Sequence, residues 1–125
     1  MKRIFIILVT FFTSITIEAQ IFNRVYDNNN LYDGVLTITE TPSGYLMGGT
    51  TQDIFSGYVA TYLIHIDFNG DTLWTKEHNL SASGEIGYSI LKSFDGNYVL
   101  CGTMHDTATT TAAAYLMKIN AQGDS

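Results

Sequence analysis

Apolar and polar residues alternate along this chain in short runs separated by turn residues. Over 60–67, Tyr62, Ile64 and Ile66 alternate with Leu63, His65 and Asp67. A period of two gives a strand with one apolar face. The same reading predicts strands at 35–40, 45–50, 60–67 and 71–77, then at 88–93, 98–103 and 113–120. Pro42-Ser43-Gly44, Phe68-Asn69-Gly70, Asp95-Gly96-Asn97 and Ala121-Gln122-Gly123 supply the tight turns between them. Asp-Gly between apolar runs is a strong hairpin signal, because a tight turn of the right twist needs positive φ. No stretch sustains a 3.6-residue apolar period, so helices are not expected.

The strands fall into a repeat. Sliding the chain by 53 residues aligns 34–72 with 87–125 without a gap, and 11 of the 39 pairs are identical. They are Gly34/Gly87, Tyr45/Tyr98, Gly49/Gly102, Thr50/Thr103, Asp53/Asp106, Ala60/Ala113, Tyr62/Tyr115, Leu63/Leu116, Ile66/Ile119, Gly70/Gly123 and Asp71/Asp124. A strand-built repeat of this length is the mark of propeller blades. Each unit is expected to be a four-stranded antiparallel meander, the first over about 34–86 and the second over about 87–125. The fold class is therefore all-β, with about two blades of a β-propeller-like fold. The segment Phe22-Asn23-Arg24-Val25-Tyr26 resembles Trp74-Thr75-Lys76-Glu77-His78, and is expected to be an outer strand preceding the first unit.

Composition adds an address. Met1-Lys2-Arg3 is basic, 4–17 is mostly apolar, and Ala19 is a small residue at a cleavage position. Those three parts make a secretory signal peptide over 1–19. An apolar run of 14 carrying Thr10, Thr13, Ser14 and Thr16 falls short of the ~20 residues a spanning helix needs. A stable membrane anchor is not expected, and the mature chain should start at Gln20. It would carry 4 basic against 11 acidic residues, a net −7. Such a balance argues against nucleic acid as a partner. The single Cys excludes a disulfide framework and a CxxC site.

The stretches Gly-Tyr-Leu-Met-Gly-Gly-Thr (44–50) and Tyr-Leu-Ile-His-Ile-Asp-Phe-Asn-Gly-Asp-Thr-Leu-Trp-Thr-Lys (62–76) resemble the blade repeat of secreted β-propeller-like proteins. These are typical of Bacteroidota that use type IX secretion. The resemblance covers nearly all of 20–125 and implies several further blades and a C-terminal sorting domain. The second unit reaches Ser125 before its fourth strand. The sequence beyond is expected to open with an aliphatic and an aromatic residue and then repeat the pattern.

Candidate chemistry is sparse. Asp67-x-Asn69-x-Asp71 spaces oxygen ligands as a calcium loop begins, but position six is Thr72 and position twelve is His78. An EF-hand loop needs Gly and an acid there, so a hairpin turn is the better reading. His65, opposite Lys118 in the repeat, is expected on a wet face. His78 and His105 lack zinc spacing. There is no GxSxG elbow or phosphate loop. Cys101, opposite Gly48, is expected to be a small buried hydrophobe. No metal or cofactor is expected.

The remaining candidate is positional. Loops 51–57 and 104–112, with 27–33 and 79–86, should emerge at one end of the repeat units, where rigid scaffolds carry function. Gln52, Asp53, His105 and Asp106 lie in them, and the two Asp recur. Turn formation is the plain account of both. The expected role is an exported, non-enzymatic module that binds an extracellular ligand or protein. The alternative is the N-terminal part of a secreted propeller enzyme, a dehydrogenase or glycan-cleaving enzyme, whose catalytic residues lie in other blades.

Overall fold

The computed structural model describes residues 21–80, 84–106 and 108–125; the signal-peptide reading of 1–19 lies outside them. The described residues form seven strands and no helix. They are β1 (Tyr32–Thr41), β2 (Gly44–Asp53), β3 (Tyr58–Asp67), β4 (Thr72–His78), β5 (Glu85–Lys92), β6 (Tyr98–Asp106) and β7 (Thr111–Ile119). The strands form a four-stranded sheet β1-β2-β3-β4 and a three-stranded sheet β5-β6-β7, and within each sheet sequence neighbours pair antiparallel. The fold is all-β, built as two blade-like meanders. The strands are longer than expected, so the β2–β3 and β6–β7 connections shrink to 54–57 and 107–110.

Three of the turns are the same five-residue loop. In 67–71 and 120–124 the first residue donates its N–H to the fifth carbonyl, and its own carbonyl accepts from the glycine at position four; 93–97 does likewise. Gly70, Gly96 and Gly123 have φ of 83°, 83° and 77°, a left-handed conformation that favours glycine. Asp67 Oδ1 accepts from the N–H of Asn69 and Asp71, so the calcium-like spacing serves the turn.

The sheets pack face to face. Leu46 and Leu63 of the first meet Ile90, Tyr98, Leu100, Tyr115, Met117 and Ile119 of the second, all nearly fully buried. Thr61 Oγ1 and Tyr115 Oη lie 2.6 Å apart across this interface, and Ile90 N–H donates to Thr37 Oγ1. The opposite face of the first sheet carries Met47, Tyr62, Ile64 and Ile66, against which Tyr26 packs.

Strand register corrects the gapless repeat. Gly49 pairs with Val35 and Gly48 with Thr37, whereas their counterparts Gly102 and Cys101 pair with Gly87 and Ser89. Structurally, Val35 therefore matches Gly87, not Tyr88, and the offset in the first strand is 52. The second unit recovers the residue in its longer 93–97 turn. The identity Gly34/Gly87 is thus a coincidence of sequence, and Asp33 becomes the counterpart of Glu85.

His65 is not on a wet face. It is 7% exposed and stands edge-on to Trp74 with 5.2 Å between ring centres. Its Nε2 lies 2.9 Å from Thr41 Oγ1, and Nδ1 has no partner among the described residues. The second sheet covers this face of the first, while Lys118 in the uncovered copy stays exposed and pairs with Asp95. Burial disfavours the imidazolium and holds the His65 pKa below its ordinary value. The unfolded chain then binds the proton more readily than the folded one. Stability is fully present above the unfolded value near ~6.5 and falls as pH drops below it, until the folded ring also protonates. Urea midpoints at about pH 8 and about pH 5.5 should show this fall, and His65→Gln should remove most of it.

Candidate functional site at the loop end

One end of both sheets gathers the predicted loops. Tyr32 at the start of β1 pairs with Gln52 at the end of β2, and Thr61 pairs with His78 at the end of β4. The second sheet is oriented alike, with His105 N–H donating to the Gly84 carbonyl in the connector. All four expected site residues therefore lie at this end.

Asp53 and Asp106 build the same turn twice. Asp53 Oδ1 accepts from Phe55 N–H at 2.9 Å and Oδ2 from Ser56 Oγ at 2.7 Å. Asp106 Oδ1 accepts from Ala108 N–H and Oδ2 from Thr109 Oγ1, each at 2.8 Å. Gly57 and its counterpart Thr110 both close the turn in the left-handed region, at φ of 76° and 55°. Left-handed backbone costs Thr more than Gly. Hydrogen bonds from Ser56 and Thr109 respectively are the main cause that lowers the two aspartate pKa values, so both are anions at neutral pH. Gln52 is half-buried in β2 opposite Val59, and His105 is exposed in β6.

A second group was missed. The 27–30 turn, with Asn29 and Asn30 both left-handed, points the buried Asn28 inward. Asn28 Nδ2 donates to Glu77 Oε1 at 2.6 Å and to Thr51 Oγ1 at 3.1 Å. Its backbone N–H donates to Asp33 Oδ2 at 2.6 Å, and Tyr58 Oη donates to Glu77 Oε2 at 2.7 Å. The bond to Glu77 is the main cause that raises the Tyr58 pKa, and burial raises that of Tyr62. Glu85, the counterpart of Asp33, is fully buried in the second sheet. The sequence does carry the signal, an acid recurring at an offset of 52, but the gapless alignment at 53 hides it.

Beside this network runs an open cleft of about 410 Å³, lined by Val25, Tyr26, Asp27, Asn28, Asn29, Tyr62, Thr72 and Thr75. Amide, hydroxyl and phenol groups share the lining with the Asp27 carboxylate, which suits hydrogen bonding to a polar ligand rich in hydroxyl donors. Among the described residues no group of three or more His, Cys, Asp or Glu is placed to hold a metal ion. No helix among them is long and apolar enough to cross a membrane. No protein-family model and no curated protein matches the chain.

Proposed function

We propose that this chain belongs to an exported, propeller-type repeat protein and serves as a non-enzymatic binding module for an extracellular ligand. The observation that carries the reading is the duplicated turn: Asp53 and Asp106 fix two equivalent loops at the same end of adjoining sheets. Loops held by their own side chains present a pre-ordered surface, which reduces the ordering cost of binding. Both carboxylates are spent on internal hydrogen bonds and held ionised, which suits shaping a surface better than shuttling protons. The cleft beside the Asn28 network offers hydroxyl, amide and carboxylate partners of the kind a glycan segment uses.

Calorimetric titration with a panel of soluble neutral glycans tests the proposal. At least one should bind without being cleaved. Asp53→Ala combined with Asp106→Ala should weaken that binding, and Asp53→Asn combined with Asp106→Asn should keep most of it. Failure of every glycan to bind a well-folded sample, or release of cleaved sugar, overturns the reading.

A further inference from the structure

Exposed apolar side chains of this molecule differ in where they stand. Leu116, 76% exposed, and Cys101, half-buried against the expectation of a buried thiol, lie on the outer face of the second sheet. The next blade that the repeat implies would pack there. Tyr32 and Phe55 are placed otherwise. They stand at the loop end, where strands give way to turns, and blades added at either side of the sheets leave that end open.

Tyr32 is 64% exposed and Phe55 95% exposed. Among the described residues neither ring meets another ring, and the Tyr32 hydroxyl has no hydrogen-bond partner. Other aromatic side chains are engaged inside the fold. Tyr58 Oη donates to Glu77, Tyr26 Oη donates to the Gly70 carbonyl, and Phe68 stands edge-on to Tyr45. The backbone does not require the two free rings either. The Asp53 turn uses only the N–H of Phe55, and Ala108 supplies that N–H in the second copy. Tyr32 pairs with Gln52, whereas the matching His105 of the second sheet meets Gly84. Both rings thus belong to the first unit alone.

Each ring sits on a fixed support. Phe55 rides on the turn that Asp53 closes through Ser56 and the Gly57 N–H. Tyr32 follows the 27–31 turn, where Asp27 Oδ1 accepts from Asn30 N–H and the Asn28 carbonyl from Leu31 N–H. Gln52 lies opposite Tyr32 on the same sheet face and three residues before Phe55, so the two aromatic Cα atoms are no more than about 16 Å apart. Amides accompany the rings, with Gln52 half-buried and Asn30 exposed.

We propose that Tyr32 and Phe55 are the stacking platforms for a neutral oligosaccharide, with the Gln52 and Asn30 amides bonding its hydroxyls. This rests on the glycan-binding reading above and names the residues that grip the ligand. A pyranose ring has a face of C–H groups, weakly positive, which packs on the negative face of an aromatic ring. Its rim of hydroxyls then meets amide donors and acceptors. A single sugar cannot cover both rings, so binding requires several linked sugars.

Calorimetry with neutral hexasaccharides of glucose, mannose and N-acetylglucosamine, and with the single sugars, tests this. Phe55→Ala and Tyr32→Ala should each weaken hexasaccharide binding by about fivefold or more. Their urea midpoints should hardly move, because both side chains already face water. Phe55→Trp and Tyr32→Phe should restore the binding. Phe94→Ala removes a fully exposed ring from the 93–97 turn at the opposite end and should change nothing. Parental affinity in both alanine variants overturns this proposal and leaves the binding reading standing. So does a single sugar that binds as tightly as its hexasaccharide, or an equal loss in Phe94→Ala. A folded parent that binds no glycan overturns both.

Discussion

Leu63→Ala should cost about 2–5 kcal/mol, while Leu116→Ala in dilute solution should stay within about 0.5 kcal/mol of the parent. The two leucines hold the same place in the repeat, pairing with Gly48 and Cys101 across the neighbouring strand. Only their cover differs. Leu63 has no exposed surface and lies in the cluster where the two sheets meet, so truncation leaves a cavity that packed neighbours fill only in part. Leu116 faces water on the outer side of the second sheet and gives up little when shortened. Urea unfolding of both variants at low protein concentration reads the difference directly. Equal losses would mean that the second sheet is covered in the free molecule, and equal tolerance would mean that the sheets do not pack as described.

The same pair shows what was legible from sequence. Alternation over 60–67 identified the strand and its faces, and the recurrence of Tyr62, Leu63 and Ile66 identified the repeat. Neither could say which copy is covered, because burial between sheets depends on what lies opposite and not on the strand's own residues. His65 was misplaced for that reason: Lys118 in its counterpart position suggested solvent, yet the neighbouring sheet and Trp74 enclose it. Asp53 and Asp106 were visible as recurring residues in loops, and their turn-building role followed from ordinary Asx chemistry. The Asn28 network was not visible. It joins residues 23 and 49 positions apart, and its recurring acid is masked by a one-residue slip. Both first strands carry the same bulge, and the second unit spends one residue more in its hairpin turn. Positions before the turn therefore recur at 52 and those after it at 53, and a single gapless alignment passes over the former.

Two glycines let the first strand approach the second at this register, and their substitution is its harshest test. A Cβ on Gly49 would fall on the carbonyl of Gly34, and one on Gly102 would fall on the carbonyl of Ile86. Both obstacles are backbone atoms of the adjoining first strand, held by the ladder, so no side-chain rotation can clear them. Gly49→Ala and Gly102→Ala should each cost about 4 kcal/mol or more, in the rare tail of single substitutions. Against a domain stability of about 5–15 kcal/mol, much of the fold would be lost. Gly48→Ala, one residue away, should be milder, at about 1–3 kcal/mol. Its Cβ would meet Ile90 Cδ1 at 2.6 Å, the far end of a side chain that can turn aside. Cys101 already carries a Cβ at the position matching Gly48, whereas Gly102 keeps the glycine matching Gly49. Thermal unfolding of the three variants should therefore rank Gly48→Ala well above the other two. A well-folded Gly49→Ala protein would show that the first strand does not approach the second at Val35 as described, and the offset of 52 would fall with it.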